Sequence, residues 1–332
     1  MKVVVTGAGG FIGSHLCRYL KAKGHWVRAV DIKWDNYITG YADQYLKADL
    51  RNPRSSPMAV KGMDYVYNLA ANMGGIGFIT AVKAEVMRDN VLINVNMLEA
   101  ARKSRVARYF YSSSACVYPT YKQESPEVTP LKECEAYPAD PDNEYGWEKL
   151  FSERLCLNYK EEFGLETRIA RFHNIYGPEG TYEGGREKAP AALCRKIAEA
   201  ADPGTITLWG DGKQTRSFCY VDDCVRGIDS LVNSDHDKPL NIGSDRLVTI
   251  NELADMIIKI SGKEIVKSYD LTKPQGVRGR NADLTLVKKL IGWKPSVPLE
   301  LGLEKTYRWI DKQLSKRKPT MKSSKRKPTK KG

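Results

Sequence analysis

A tyrosine and a lysine one helical turn apart are the residues of this chain best suited to proton transfer. Tyr145 and Lys149 are four positions apart, so both side chains would lie on one face of a helix. A phenol titrates near ~10, and an ammonium group beside it favours the phenolate. We therefore expect Lys149 to lower the pKa of Tyr145, and Tyr145 to accept a proton from a substrate hydroxyl while a hydride leaves the same carbon.

This spacing alone is weak support, because most such pairs are solvated helix faces. Three other pairs in the chain share it: Tyr19/Lys23, Tyr118/Lys122 and Tyr269/Lys273. The elements around each pair must therefore distinguish Tyr145 from the other tyrosines.

A strand, a glycine-rich turn and a helix open the chain. The β-branched run 2–6 leads into glycines at 7, 10 and 13, and a helical apolar pattern follows. Glycines let the backbone approach a pyrophosphate closely, and the helix N-terminus presents free N–H groups to it. We expect a dinucleotide site formed by Gly7, Gly10, Phe11, Ile12 and Gly13.

Residues at the ends of the next predicted strands extend this site. Asp31 stands 18 residues after the last glycine of the turn. An acid there bonds both ribose hydroxyls and repels a 2′-phosphate, which favours NAD over NADP. Asp49 and Leu50 end the following strand and would flank the adenine, and Ala70 ends the strand that runs toward the nicotinamide.

Hydroxyl groups and a glycine-rich loop come next. The strand 108–111 runs into three serines, and α/β sheets bind ligands at such strand ends. We expect Ser114 to bond the reacting hydroxyl together with Tyr145. The segment 72–78 precedes no clear helix, so we interpret it, with Gly74, as a loop near the substrate.

The second half of the chain carries the predicted substrate groups. Segments 166–171, 205–208 and 216–221 are typical of strands, and 177–190 is a Gly- and Pro-rich loop. Pro190 favours a helix start, and that helix carries Lys196. Arg278 and Arg280 lie in a predicted loop, where guanidinium forks suit a diphosphate.

Composition bounds the class of protein. The chain has 332 residues, seven cysteines without C-x-x-C spacing and four histidines without metal-ligand spacing. We predict reduced thiols, no metal site, no membrane span and a cytoplasmic location.

The net charge of +13 is concentrated at the C-terminus. Residues 316–332 hold nine Lys/Arg and no acids, which leaves 13 − 9 = +4 for residues 1–315. Ser-Lys-Arg-Lys-Pro-Thr occurs at 315–320 and again at 324–329. We predict a disordered, solvated tail over 313–332, with nucleic-acid contact as the alternative.

The glycine turn, Asp31, the serine strand and the Tyr145/Lys149 helix occur in an order that resembles the extended short-chain dehydrogenase/reductase superfamily. Only Tyr145 follows the serine strand and opens a helix. The segments 113–116, 171–178, 184–190 and 209–218 narrow the resemblance to the GDP-mannose 3,5-epimerase family, over residues 1 to about 312. The resemblance implies an α/β fold: a Rossmann-type doubly wound parallel sheet (mainly 1–170) with a smaller, interleaved substrate lobe (mainly 171–312).

The resemblance also implies a mechanism and its residues. NAD would oxidise the sugar transiently at C4, and Cys116 as base and Lys188 as acid would then invert C3 and C5 beside the ketone. The expected product is GDP-L-galactose, with GDP-L-gulose from inversion at C5 alone. The catalytic residues implied are Tyr145, Lys149, Ser114, Cys116 and Lys188. The substrate-binding residues implied are Gly74, Ser114, Ala115, Cys116, Asn174, Glu187, Lys188, Lys196, Gln214, Arg216, Arg278 and Arg280.

Two alternatives remain open at this point. A nucleotide-sugar 4-epimerase or 4,6-dehydratase needs Tyr145 and Lys149 but has no evident use for Cys116 and Lys188. A non-catalytic NAD-binding protein that contacts nucleic acid through the basic tail is the second. The superfamily resemblance implies a homodimer formed through the predicted helices 86–103 and 147–163.

Overall fold

A seven-stranded parallel sheet is the main feature of the computed structural model, which describes residues 1–34 and 40–317. The strands in chain order are β1 (Lys2–Thr6), β2 (Trp26–Asp31), β3 (Gln44–Lys47), β4 (Tyr65–Asn68), β5 (Arg108–Ser114), β6 (Thr167–Phe172), β7 (Ile175–Tyr176), β8 (Gly204–Trp209), β9 (Thr215–Ser217), β10 (Cys219–Tyr220), β11 (Leu240–Ile242), β12 (Leu247–Thr249), β13 (Ile265–Asp270) and β14 (Gly279–Arg280). The helices are α1 (Phe11–Ala22), α2 (Ser55–Val60), α3 (Ile76–Ala81), α4 (Lys83–Lys103), α5 (Glu144–Phe163), α6 (Ala189–Glu199), α7 (Val221–Val232), α8 (Ile250–Ser261), α9 (Thr285–Ile291) and α10 (Leu299–Arg317).

The sheet has the strand order β11-β6-β5-β4-β1-β2-β3, and every neighbouring pair is parallel. Alternate residues of β1 enter two separate apolar clusters, because side chains alternate along a strand: Val3 and Val5 lie in one and Val4 in the other. Both faces of the sheet are therefore covered. This confirms the predicted Rossmann-type doubly wound fold, with its ligand crevice at the strand ends between β1 and β4.

The later segments build three small sheets beside the main one. β9 pairs with β12 and β14, β8 pairs with β13, and β7 pairs with β10. β11 belongs to the main sheet although it lies in the second half of the chain, so the segments interleave. One apolar cluster contains residues from both halves of the chain, from Val3 to Ile310. Because the two halves share this core, the packing does not mark a boundary at residue 170, and that boundary stays a prediction.

Helix α5, which carries Tyr145 and Lys149, has well-formed ends. The Asn143 side chain accepts a 2.9 Å hydrogen bond from the backbone N–H of Gly146 and caps the N-terminus. Gly164 ends the helix with φ 70°, a left-handed conformation that glycine adopts without strain. α5 packs beside α4, where Asn94 donates to Ser152 at 3.0 Å.

Three local predictions differ from the structure. The segment after Gly75 forms α3, a helix whose six residues are too few to show a clear apolar period. The predicted strand 216–221 breaks at Phe218 into β9 and β10, because the two halves pair with different partners. Arg280 lies in β14 rather than in a loop, since it pairs with Arg216 of β9.

The C-terminal prediction is partly wrong. Helix α10 continues to Arg317, so residues 313–317 are helical, and Leu314 packs against the main apolar cluster. The remainder of the predicted tail, 318–332, lies outside the described residues. No helix within 1–34 and 40–317 has the length and apolar character to cross a bilayer.

Candidate active site

The glycine turn after β1 is packed so closely that side chains do not fit. A Cβ on Gly13 would lie 2.1 Å from the carbonyl oxygen of Gly7, and one on Gly7 would lie 2.8 Å from the backbone nitrogen of Ala70. Gly7 also has φ 66°. This close approach leaves the crevice between β1 and β4 open to a pyrophosphate at the start of α1.

Asp31 borders this crevice at the end of β2. Its carboxylate accepts hydrogen bonds from the backbone N–H of Gly9 at 2.8 Å and of Ile32 at 2.7 Å. Burial raises the pKa of Asp31, against the lowering effect of these bonds. A partly buried acceptor tied to the glycine turn fits a ribose of a bound dinucleotide.

The remaining predicted cofactor residues occupy varied positions. Asp49 bonds Arg51, with 2.7 Å between Oδ2 and Nη2, and Leu50 is buried in the core. Phe11 and Ile12 are partly buried in the first turn of α1. Together with the turn and Asp31, these residues fit NAD, although Asp49 already has a charged partner.

Tyr145 and Lys149 lie together in the buried part of the site. Their side chains are 8% and 1% exposed, and the Lys149 Nζ is 5.4 Å from the centre of the Tyr145 ring. The ammonium donates a 3.0 Å hydrogen bond to the carbonyl oxygen of Ser112 at the end of β5. The predicted helical pair is therefore formed and is held against the sheet.

The predicted effect on the pKa of Tyr145 is wrong for this structure. Burial and the nearby Glu148 carboxylate raise the pKa of Tyr145 well above its usual value, although a hydrogen bond with Ser114 lowers it. Burial likewise lowers the pKa of Lys149, against the charge of Glu148. Desolvation of both groups outweighs the attraction on which the prediction relied.

Glu148 is a site residue that the spacing argument missed. It is fully buried, and its Oε1 lies 3.9 Å from Lys149 Nζ and accepts a 2.8 Å bond from Asn90. Its Oε2 has no hydrogen-bond partner among the described residues. Burial raises the pKa of Glu148 to about 7. Its sequence position, between Tyr145 and Lys149 on a helix surface, gives no sign of this burial.

Cys116 is brought next to Tyr145 by a glycine. A Cβ at Gly146 would lie 2.2 Å from the carbonyl oxygen of Cys116, so only glycine lets α5 approach so closely. Cys116 lies in a short 3-10 helix, Ala115–Val117. The backbone N–H of Cys116 donates a 3.2 Å hydrogen bond to Ser114 Oγ at the start of this helix. Cys116 also packs against the apolar cluster that contains Tyr145. Two groups able to move protons thus share one space.

Arg280 lies against the thiol of Cys116. Its Nη1 is 3.2 Å from Cys116 Sγ, its Nε donates to Gln123 at 2.5 Å, and its Nη2 lies 3.6 Å from Asp142. Burial alone would lower the pKa of Arg280, but Cys116 and Asp142 raise it. Gln123 and Asp142 come from the long loop before α5, and no local sequence signal marks them.

Lys188 comes from a third segment of the chain, the loop before α6. It precedes the first residue of α6 and is exposed to solvent. The protein atoms around it displace hydration, and this lowers the pKa of its ammonium, while Cys116 acts in the opposite sense. Lys188 therefore lies close enough to the thiol for the two groups to interact electrostatically.

Two predicted guanidiniums are already engaged with protein groups. Arg216 donates to the carbonyl oxygens of Thr215 and Val277, both at 2.7 Å, and burial and Arg280 lower its pKa. Arg278 forms an ion pair with Asp211 at 3.0 Å. Arg216 thus lies near enough to Arg280 to feel its charge, whereas Arg278 is paired with an acid.

Lys196, Gln214 and Trp209 form a neighbouring group. Lys196 Nζ donates to the carbonyl oxygen of Thr207 at 2.6 Å and lies 5.9 Å from the Trp209 ring centre. Gln214 donates to the carbonyl oxygen of Trp209 at 3.2 Å, and its own oxygen is buried without a described partner. Trp209 is 40% exposed, and the predicted residue set did not include it.

The last predicted substrate residues line the loops around this space. Asn174 has φ 42° and donates to the carbonyl oxygen of Ser217 at 2.9 Å. Glu187 lies 3.4 Å from Arg195. Gly74 abuts Phe78, with 2.8 Å between its ideal Cβ position and the Phe78 Cβ, and Ala115 is buried.

The fold and the crevice define an NAD-dependent enzyme, and the chain belongs to the NAD dependent epimerase/dehydratase family, whose model matches residues 3–243. It is 48% identical over 320 residues to the GDP-mannose 3,5-epimerase of Arabidopsis thaliana. The aligned residues cover 96% of this chain and 84% of that relative.

Solved structures share the fold. The UDP-glucose 4-epimerase of Thermotoga maritima, with UDP-glucose, superposes with a TM-score of 0.86 at 26% identity, over 95% of this chain and 100% of that one. The UDP-glucuronic acid 4-epimerase of Bacillus cereus, in complex with UDP-glucuronic acid and NAD, gives 0.81 at 28% identity, over 95% and 100% of the two chains.

Proposed function

We propose that this protein is an NAD-dependent isomerase that epimerises GDP-mannose at C3 and C5 through transient oxidation at C4. The observation that carries the proposal is the position of the Cys116 thiol, in the same space as Tyr145 and beside the Arg280 guanidinium. The 48% identity to a GDP-mannose 3,5-epimerase supports the same substrate.

Tyr145 takes the proton of the sugar 4-hydroxyl and returns it at the end of the cycle. NAD, when bound, would supply the acceptor and later the donor of the C4 hydride, and its oxidised nicotinamide ring would add a positive charge that favours the Tyr145 phenolate. Ser114 orients the same hydroxyl, and Lys149, anchored by its hydrogen bond to the carbonyl oxygen of Ser112, places its ammonium 5.4 Å from the Tyr145 ring centre. The enzyme therefore shows no net oxidation of the sugar.

Cys116 and Lys188 invert the carbons beside the ketone. A ketone at C4 acidifies the protons on C3 and C5. The Cys116 thiolate, which lies beside the Arg280 guanidinium, removes a proton from one ring face, and the Lys188 ammonium gives one to the other face. Double inversion yields GDP-L-galactose, and inversion at C5 alone yields GDP-L-gulose.

Cationic groups around this space hold the nucleotide diphosphate. Burial lowers the pKa values of Arg216 and Lys196, and a guanidinium and an ammonium group in a partly dehydrated cleft suit the binding of a phosphate. Asn174, Gln214 and Glu187 would contact the sugar or the base. Arg280 already contacts the Cys116 thiol, so we assign it the role of holding Cys116 rather than that of binding the diphosphate.

A homodimer formed through α4 and α5 completes the proposal, with a cytoplasmic location. Both helices carry large apolar side chains that are 37–51% exposed. They are Met87, Leu92 and Val95 on α4, and Trp147, Phe151 and Phe163 on α5. Sedimentation at assay concentration is expected to give twice the chain mass of 37.3 kDa, and a monomer would contradict the dimer.

NMR of GDP-mannose with the purified protein in D₂O tests the function. Deuterium is expected at C3 and C5, together with signals of new epimers, without net formation of reduced nicotinamide. A 4-epimerase would instead change C4 and leave the C3 and C5 hydrogens in place. Absence of exchange after NAD is added would overturn the proposed substrate.

A further inference from the structure

The segment that carries Lys188 is docked onto the segment 72–78. The backbone N–H of Gly75 donates a 3.0 Å hydrogen bond to the carbonyl oxygen of Arg186. A Cβ on Gly75 would lie 2.3 Å from the carbonyl oxygen of Glu187, so the contact requires glycine at this position. The two backbones therefore meet directly, just before Lys188.

The Arg186 side chain closes this contact from the outside. Its Nη1 donates to Asn72 Oδ1 at 3.1 Å and to the carbonyl oxygen of Met73 at 3.2 Å. Its Cζ lies 3.7 Å from the centre of the Phe78 ring, within the range of a cation–π contact. Within the described part of the chain, the hydrogen-bond and ring partners of Arg186 all belong to 72–78, although the side chain is exposed.

The segment 72–78 is itself fixed to the buried part of the site. The backbone N–H of Asn72 donates to Asn90 Oδ1 at 2.6 Å, and Asn90 Nδ2 donates to Glu148 at 2.8 Å. Met73 and Phe78 pack against the cluster that contains Tyr145. A chain of contacts thus leads from Arg186 to the neighbours of Lys149.

Lys188 has one other firm attachment. Its carbonyl oxygen accepts the 2.9 Å bond from Ala192 that opens α6, and α6 is anchored by buried Leu193 and Ile197. On its other side, Gly184 and Gly185 have φ 84° and 83°, with no atom within 4 Å of an added Cβ, and they leave that end of the loop free to pivot. Between this pivot and α6 the loop is held by the Arg186 contact and by the ion pair of Glu187 with Arg195 of α6 at 3.4 Å.

We propose that Arg186 is a positioning residue, which holds Lys188 opposite Cys116 by clasping its loop to 72–78. The proposal rests on the function proposed above, in which Lys188 transfers a proton. Arg186 touches no reacting atom in this assignment. Its loss displaces the backbone of Lys188 and leaves Tyr145 and Lys149 in place.

Variants of Arg186 in the full-length protein with NAD test the proposal. We expect Arg186→Ala to slow deuterium entry at C3 and C5 by about 10- to 100-fold, the effect of a misplacement of order 1 Å. The rate at which GDP-mannose reduces bound nicotinamide, and the KM for GDP-mannose, should stay within about threefold. Arg186→Lys should recover part of the loss, because an ammonium still reaches the two oxygens but cannot stack on Phe78 in the same way.

A second measurement needs no substrate. Amide hydrogen exchange should accelerate at 184–188 and at Gly75 in Arg186→Ala, and not in Arg308→Ala, whose arginine is exposed and pairs with Glu304 on α10. Wild-type exchange at C3 and C5 in Arg186→Ala would overturn the positioning role. A rise in KM with unchanged kcat would overturn it too, since it would mark Arg186 as a substrate contact. If the wild type does not epimerise GDP-mannose, the proposed function fails, while the amide-exchange result still decides whether the clasp exists.

Discussion

The two pairs of proton-transfer groups are held by different kinds of structure. Tyr145 and Lys149 lie one turn apart on α5, are buried, and are bonded to the end of β5. Cys116 and Lys188 lie on a 3-10 helix and at a loop end, and both are more accessible to solvent. Cys116 contacts Arg280, which is distant in sequence, and in our proposal Lys188 depends on the contact between Arg186 and the equally distant Asn72. The first pair belongs to the rigid sheet and helix, and the second to the loops above it. The two can therefore be disabled separately.

Loss of the Tyr145 hydroxyl should have the largest effect. Tyr145→Phe removes the group that takes and returns the C4 proton, so both oxidation and inversion should fall by about 10⁴-fold, at the upper end for a general base. Deuterium entry at C3 and C5 and reduction of nicotinamide are the two measurements. Tyr19→Phe is the matched control, because Tyr19 has the same spacing to a lysine but bonds Asp229. Unchanged deuterium exchange in Tyr145→Phe would refute the idea that inversion at C3 and C5 requires the oxidation at C4 that Tyr145 supports.

Loss of the Cys116 thiol should stop inversion at C3 and C5 while oxidation at C4 continues. Cys116→Ser replaces a nucleophilic thiol with a hydroxyl that is a far weaker base, so inversion at C3 and C5 should fall by about 10³-fold. Reduction of nicotinamide by GDP-mannose should remain within a few-fold, since Tyr145 and Lys149 are untouched. Cys134→Ser, at an exposed free cysteine, serves as the control. Epimerisation at the full rate would remove Cys116 from the mechanism.

Replacement of Arg280 by lysine should weaken the second pair without abolishing it. The change keeps a positive charge but loses the planar guanidinium that contacts Cys116 and Gln123 at the same time. A hydrogen bond to a charged group contributes about 1.5–3 kcal/mol, which corresponds to roughly 10- to 100-fold in the rate of inversion. Arg246→Lys, at a surface pair with Glu300, should change nothing. If Arg280→Lys lowered the rate of C4 oxidation equally, the two pairs would not be separable in this way.

The contrast between the pairs also explains what the sequence predicted. The glycine turn, Asp31 and the Tyr145 helix were predictable, because local spacing and strand ends determine where they lie. The same spacing failed to foresee the buried environment of Tyr145, since burial depends on how α4, α5 and 73–82 pack together. The partner of Cys116 is Arg280, which in turn contacts Gln123 and Asp142, and only the tertiary fold brings these residues together. Asn143, a capping residue two positions before Tyr145, was a local signal that could have strengthened the assignment of the helix start.

The smallest effect is expected for Glu148, whose ionisation should change the free energy of unfolding with pH. This change tests how far water is excluded from the surroundings of Tyr145 and Lys149. Its folded-state pKa of about 7 exceeds the ordinary 4.5, so the folded protein binds the proton more tightly than the unfolded chain. The associated stability is present below pH 4.5 and is lost as the pH rises toward 7, by about 3 kcal/mol in total at 1.36 kcal/mol per pH unit. Glu148→Gln keeps an acceptor for Asn90 but does not ionise, so its free energy of unfolding should lack this loss. Urea unfolding at several pH values compares the two proteins, with Glu161→Gln on the exposed face of the same helix as the charge-matched control. Parallel pH profiles for wild type and Glu148→Gln would mean that water reaches the carboxylate, and the burial that distinguishes the Tyr145 pair from the Cys116 pair would then be smaller than the packing indicates.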